Sequence, residues 1–449
     1  MLKQLQIFFD FLRFCIGSDA EIPSSLKEVD WKELYAIAQK QCLVGVLFDG
    51  IKKLPAEHVK MKKELLLQWM AESQMLEKAN VRLNDAAIQV SEWFRKKGFR
   101  TCILKGQGNA LMYPNPYSRT PGDIDIWVEG GDKRVISFVR SISPHEKACY
   151  HHIDFPSYKG VEVEVHYRPS FLLCFWHNRK LQKYYERANK EQFSHRVMLG
   201  EQGEIAIPTA EFNLIFQLTH IYAHLMNEGI GLRQLLDYYF VVCDFYKVYQ
   251  TSTNHSASFS NHPVIFSNHP VPLSKEGSTF SPSPSSSGSG DVTALRCSEP
   301  LRYKDGGASK PSPGCAGWDR LEMSGEMSSD CAGASSAALD RVQKELKELG
   351  LWKFAGAIMY IMQEVFGMPA SRLIVPPNEQ YGKFVLNEVL EAGNFGKHDE
   401  RNRFGKSKLG HNLQRVYRDI RLVRYFPAEA MSEPFFRVWH FFWRMKNKK

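Results

Sequence analysis

Residues 122–128 read Gly-Asp-Ile-Asp-Ile-Trp-Val, an alternating segment in which two acids share a strand with large apolar residues. Along an extended chain successive side chains point to opposite faces, so Asp123 and Asp125 leave one face together and Ile124 and Ile126 the other. Aspartate is disfavoured in strands, and so apolar a flank does not suit a sheet edge. A second alternating segment, "VEVEVHY" at 161–167, sets Glu162, Glu164 and His166 on one face by the same rule. Taken alone, that segment reads as the solvated face of an edge strand. As a neighbour of the first, it brings at least three carboxylates together. Such a cluster is costly to ionise, and hard divalent cations with oxygen ligands relieve the repulsion. The pattern therefore predicts a metal site suited to in-line displacement at phosphorus, where one ion activates an attacking hydroxyl and another neutralises the leaving oxygens.

The loop ahead of the first strand, "LKGQGNALMYPNPYSRTPG", supplies the groups a phosphate needs. Gly106 and Gly108 let the backbone approach an anion, and a helix starting at "NALMY" would turn amides toward it. Lys105 and Arg119 are natural phosphate partners, and the Pro-rich turn between them can fold back over the site.

Periodicity divides the chain. Residues 1–98 repeat at helical spacing, with Gly98 as a stop, and the opening "MLKQLQIFFDFLRFCIG" reads as an amphipathic helix, because Asp10 and Arg13 interrupt its apolar run. Over 99–205 the period becomes that of strands around one helix, "DKRVISFVRSI", which predicts a small α/β core. Helical spacing returns over 206–250 and 337–449. Between them, 251–336 holds Ser, Pro and Gly tracts such as "SPSPSSSGSG" that cannot bury a core, so a disordered insert is expected there; its near-repeat "FSNHPVI…FSNHPVP" is a short binding motif or a duplication in unconstrained sequence. The fold class expected is α+β: a small mixed sheet flanked by helical domains, with a long insert.

With 43% hydrophobic residues the chain has ample material for cores, and no apolar run is long enough to span a bilayer. Nine cysteines without paired or Cys-x-x-Cys spacing suit a reducing, cytoplasmic setting. The net charge of +9 admits a nucleotide, nucleic acid or an anionic surface as partner without choosing among them. Arg415, Arg418, Arg421 and Arg424 recur at about helical spacing within the basic stretch Lys397–Arg424, a stripe that would track a polynucleotide or simply face solvent. The final "FFRVWHFFWRMKNKK" has a composition that also suits an anionic membrane surface; packing onto the helical domain is the expectation.

The segments "LKGQGNALMYPNPYSRTPGDIDIWV" and "YHHIDFPSYKGVEVEVHYRP" resemble the uncharacterised nucleotidyltransferase family of the polymerase-β-like superfamily, with the likeness strongest over residues 100–170 and looser across the flanking helices. The resemblance implies that Asp123, Asp125 and Glu164 are the catalytic, metal-holding carboxylates, and that Lys105, Gly106, Gln107 and Arg119 surround the nucleotide phosphates. It further implies Mg2+, with Mn2+ as a substitute, and a nucleoside triphosphate such as ATP as co-substrate. The nucleoside monophosphate passes to a hydroxyl of an unidentified protein, small-molecule or RNA acceptor, with Asp125 or Glu164 taking the hydroxyl proton. Gln107 departs from the superfamily, which carries a serine there. That lost hydroxyl motivates an alternative, a nucleotide-binding module without chemistry; a helical interaction scaffold is the third reading. Glu162 has no role in the comparison and is expected to face solvent. His152 and His166 either contact phosphate, orient Glu164 or are structural. His220 and His224, four apart on a helix, either hold zinc or stand on the site wall near Arg233 and Asp237.

Overall fold

The computed structural model describes residues 2–201, 203–256, 329–397, 399, 401 and 408–447. The insert and its repeat fall, apart from the helix ends at 251–256 and 329–336, outside the described residues, as do most of residues 398–407 of the basic stretch.

The chain opens with α1 (Leu2–Ile16), α2 (Trp31–Lys40), α3 (Val44–Lys53) and the long α4 (Lys63–Lys96). Asp30 caps α2 by accepting the amides of Lys32 and Glu33, and Gly98 at φ +80° ends α4, with Phe99 N reaching back to Phe94 O. The α/β core follows: β1 (Thr101–Ile103), the one-turn α5 (Gln107–Ala110), β2 (Ile124–Val128), α6 (Gly131–Ile142), β3 (His152–Tyr158), β4 (Val161–His166), α7 (Phe175–Gln192), and the hairpin β5 (Arg196–Met198) with β6 (Glu204–Ala206). Helices complete the chain: α8 (Ala210–Asn227), α9 (Leu232–Ser256), α10 (Ser329–Glu348), α11 (Trp352–Glu364), α12 (Glu379–Ala392), α13 (Lys408–Val423) and α14 (Pro427–Lys446). The fold is α+β, a small mixed sheet among helices.

The main sheet runs β1-β2-β4-β3, with β2 parallel to β4 and the outer pairs antiparallel. β4 therefore lies inside the sheet, which corrects the reading of "VEVEVHY" as an edge. The edge is β3. Its Pro156 sits where the register slips between Phe155 and Tyr158, because proline cannot donate to a ladder.

Ile124, Ile126, Val128, Val163 and Val165 pack with Val135 of α6 and Phe94 of α4 in one core. Trp127, on the opposite face, joins the larger core that α1–α3 share with α8–α12. The acids of β2 and β4 point the same way as Trp127. They are thus held between the sheet and the helical body.

The C-terminal stripe needs a correction. Arg418 is buried and donates to the carbonyls of Asn227 and Glu228 at the end of α8, and Arg421 donates to Glu388, so only Arg415 and Arg424 of the four are exposed. Helix α14 packs on one side alone: Phe436 stacks on Phe171, and His440 accepts the Tyr150 amide. No described helix is long and apolar enough to cross a membrane.

Candidate active site

Asp123 stands one residue ahead of β2, and the parallel register sets Asp125 directly opposite Glu164. One carboxylate oxygen from each of the three lies within 4.8 Å of the others. Asp125, 3% exposed, has both oxygens engaged: Oδ1 is 2.9 Å from His166 Nε2 and Oδ2 is 2.9 Å from Lys105 Nζ. Glu164 Oε2 lies 3.4 Å from His166 Nε2 and 3.4 Å from His152 Nδ1. His166 is 2% exposed.

The protonation states follow from this packing. The charge of Asp125, helped by burial, pushes the Asp123 carboxyl up to about 6. Burial works against the Asp125 carboxylate too, yet Lys105 and His166 outweigh it and hold the group well below the usual range. Burial disfavours a charged His166, but its bonds to Asp125 and Glu164 win and raise it to about 9. Burial likewise opposes charge on Glu164, which His166 and His152 keep lowered. The Lys105 ammonium survives burial because Asp125, Asp123 and Glu164 surround it. His220 is different: burial and the Lys105 charge hold it well below the ordinary histidine range, so it is neutral.

The loop from Lys105 to Gly122 is anchored from outside the sheet. Gly106 takes φ +56°, a conformation that side-chain-bearing residues seldom adopt, and α5 starts from it. Asn80 of α4 donates to the carbonyls of Tyr117 and Arg119 at 2.9 and 2.8 Å, while Thr120 Oγ1 donates to Cys42 O. Gln107 turns to α4, where it is buried against Asn84. Arg119 is also buried, donating from Nε and Nη2 to the two oxygens of Asp237 at 2.8 Å each. Tyr113 adds a bond to the same carboxylate at 2.7 Å, and Arg233 Nη1 lies 3.8 Å from it.

The structure thus gathers Asp123, Asp125, Glu164, Lys105, His152, His166 and His220 around one centre. Arg119, Arg233 and Asp237 form a separate buried ion cluster, and Gln107 faces away toward α4. Glu162 is exposed. His220 Nε2 lies 3.0 Å from both Lys105 Nζ and His224 Nε2, and His224 Nδ1 lies 3.3 Å from Glu228 Oε2, so the pair stands beside Lys105 on the wall of the site.

Sequence reading missed two members. Asp154 sits opposite Glu164 in the β3–β4 register, extending the acidic row across three strands, and His151 Nε2 lies 3.1 Å from His152 Nδ1. The alternation of His152 and Asp154 carried the first signal, but Pro156 hides the strand that makes it legible.

An all-oxygen set of this spacing, with its repulsion still visible in Asp123, fits a hard divalent cation such as Mg2+. No curated protein and no solved structure matches the chain. Residues 27–248, which contain every member of this site, match one protein family. Over that span the chain belongs to the uncharacterised nucleotidyltransferase family.

Proposed function

We propose that the protein moves a nucleoside monophosphate from a nucleoside triphosphate to an acceptor hydroxyl with release of pyrophosphate, dependent on Mg2+ or Mn2+. The observation that carries this reading is the convergence of Asp123, Asp125 and Glu164 oxygens within 4.8 Å on adjoining parallel strands. These three residues would hold the cation, which when bound neutralises phosphate charge and acidifies the acceptor hydroxyl.

The chain's own groups divide the remaining work. The acceptor oxygen forms a bond to the α-phosphorus as the bond to the β-phosphate oxygen breaks, so one proton must leave the acceptor. Both Asp125 oxygens are engaged by Lys105 and His166, so of Asp125 and Glu164 the latter, held in place by His152 and His166, is the one assigned to receive it. Lys105 supplies positive charge at the entrance of the loop, and Gly106 lets the backbone turn there. Arg119 fixes the loop through Asp237, and His220, 3.0 Å from Lys105 Nζ, borders the site on that side.

The test is nucleotide transfer by purified protein. With labelled triphosphates, Mg2+ and a cell extract, wild-type protein should transfer label to an acceptor. Asp123→Asn with Asp125→Asn should lose roughly a thousandfold of that rate while keeping the fold by circular dichroism. Unchanged transfer by the folded double variant would end the proposal.

A second reading has its own support. The Lys105 ammonium occupies the side of Asp125 that a cation would claim, as in a site that binds nucleotide without turning it over. Binding of a nonhydrolysable triphosphate with no pyrophosphate from the hydrolysable one, in any extract, would favour this module.

A further inference from the structure

Helix α14 leaves Met431, Phe435, Val438, Phe442 and Met445 exposed, Phe435 by 78% and Phe442 by 61%. Their spacing of four and three residues sets them in one stripe along the helix. Helix α13 does the same with Leu413, Val416, Tyr417 and Ile420, the last 65% exposed. The two helices pack against each other, and each turns its other side to the protein body, α13 through Leu422 and α14 through Ala430. A soluble surface rarely carries so much exposed apolar area on two packed helices without a partner.

The charges on the same pair of helices say what kind. Every described acid is drawn inward: Glu429 is buried and accepts the amides of Leu173 and Cys174, Glu433 is buried on Arg437, and Asp419 is half-buried beside Glu433. Among the side chains described, the charged residues left exposed are Arg415, Arg424, Arg444 and Lys446, all cationic. An apolar, aromatic-rich stripe flanked only by cations complements a surface with anionic headgroups above hydrocarbon. A second copy docked face to face would set these cations against their own kind, and the apolar stripe is too short and interrupted to span a bilayer.

We propose that the α13–α14 pair is a peripheral docking surface for anionic phospholipid, lying in the plane of the membrane with Phe435 and Phe442 inserted. The full chain should float with vesicles of phosphatidylcholine containing about one third phosphatidylserine, and not with phosphatidylcholine alone. Binding should weaken as salt rises from about 0.1 to about 0.5 M, because the cations act through a screened field. Phe435→Ser with Phe442→Ser should lower the partition roughly tenfold or more. Both side chains are exposed, so the variant should keep the wild-type melting temperature, and Arg444→Glu with Lys446→Glu provides an independent arm that removes charge without touching the apolar stripe. Absence of flotation at low salt, or flotation that neither double variant weakens, would overturn the proposal. So would a wild-type dimer or a bound helical protein that the Phe435→Ser and Phe442→Ser changes release, since another occupant would then hold the face.

Discussion

Arg119 and Asp237 allow a sharp test of whether the loop arginine serves the fold or the nucleotide. Both are buried, and the guanidinium meets the carboxylate through two bonds of 2.8 Å. Asp237→Leu removes the carboxylate that pairs with Arg119 and leaves a buried charge, a loss that costs about 3–5 kcal/mol. Arg119→Met added to it removes that stranded charge, so the double variant should regain part of the loss, keeping the cost of the orphaned Tyr113 hydroxyl, about 1–3 kcal/mol, and that of Arg233 left without Asp237. For a cooperative unit of roughly 350 residues the unfolding entropy near the midpoint is about 0.7 kcal/mol/K, so the single change should lower Tm by about 4–7 °C and the double change by less. Differential scanning calorimetry of wild type, both single variants and the double variant closes the cycle. A double variant no more stable than Asp237→Leu would refute the reasoning. A double variant that is stable yet no longer binds nucleoside triphosphate would return Arg119 to the phosphates.

Three further outcomes follow from the same geometry. Lys105→Met removes the cation that quiets Asp125, so the variant should melt earlier than wild type in EDTA and gain more from added Mg2+ than wild type gains, as read by thermal shift. Gly45 of α3 lies so close to the Ser118 carbonyl that a Cβ would overlap it; Gly45→Ala should cost about 1–3 kcal/mol in urea denaturation and loosen the loop that carries Arg119, seen as faster amide exchange there. Asp419, raised to about 7 by burial and by Glu433, binds its proton more tightly folded than unfolded. Its contribution is therefore fully present below about 4 and lost as pH rises through 7. Asp419→Asn should flatten that fall in Tm between pH 4 and about 7.

Much of the core was legible because its signals are local. The alternation at 122–128 and 161–167 named β2 and β4 and the face their acids share, and Gly98 marked the end of α4 within two residues. Strand β3 was hidden by Pro156, and with it the third row of the acidic face. The placement of Arg119 and Gln107 was not legible, since both depend on what packs behind the loop: Asp237 arrives from a helix more than a hundred residues later, and Asn84 from the side of α4 that faces the sheet. Equally, helical spacing put Arg415, Arg418, Arg421 and Arg424 in one band, but only the position of α8 decided that Arg418 would cap its carbonyls.

The two faces of the sheet make the strongest argument that this site is chemical rather than structural. Against α4 and α6 the sheet presents Ile124, Ile126, Val163 and Val165, the aliphatic surface that a buried sheet normally offers on both sides. Against α8 it presents Asp125, Glu164, His166 and Lys105, all of them removed from water to a large degree. Apolar residues of similar volume on that second face would pack at no electrostatic cost, and replacing buried ion pairs in that way is often neutral or stabilising. Packing alone therefore gives no reason for the charges. Their shifted ionisation, with Asp123 pushed up and His220 held neutral within one small cluster, is the pattern expected where a fold gives up stability to hold reactive groups at fixed positions.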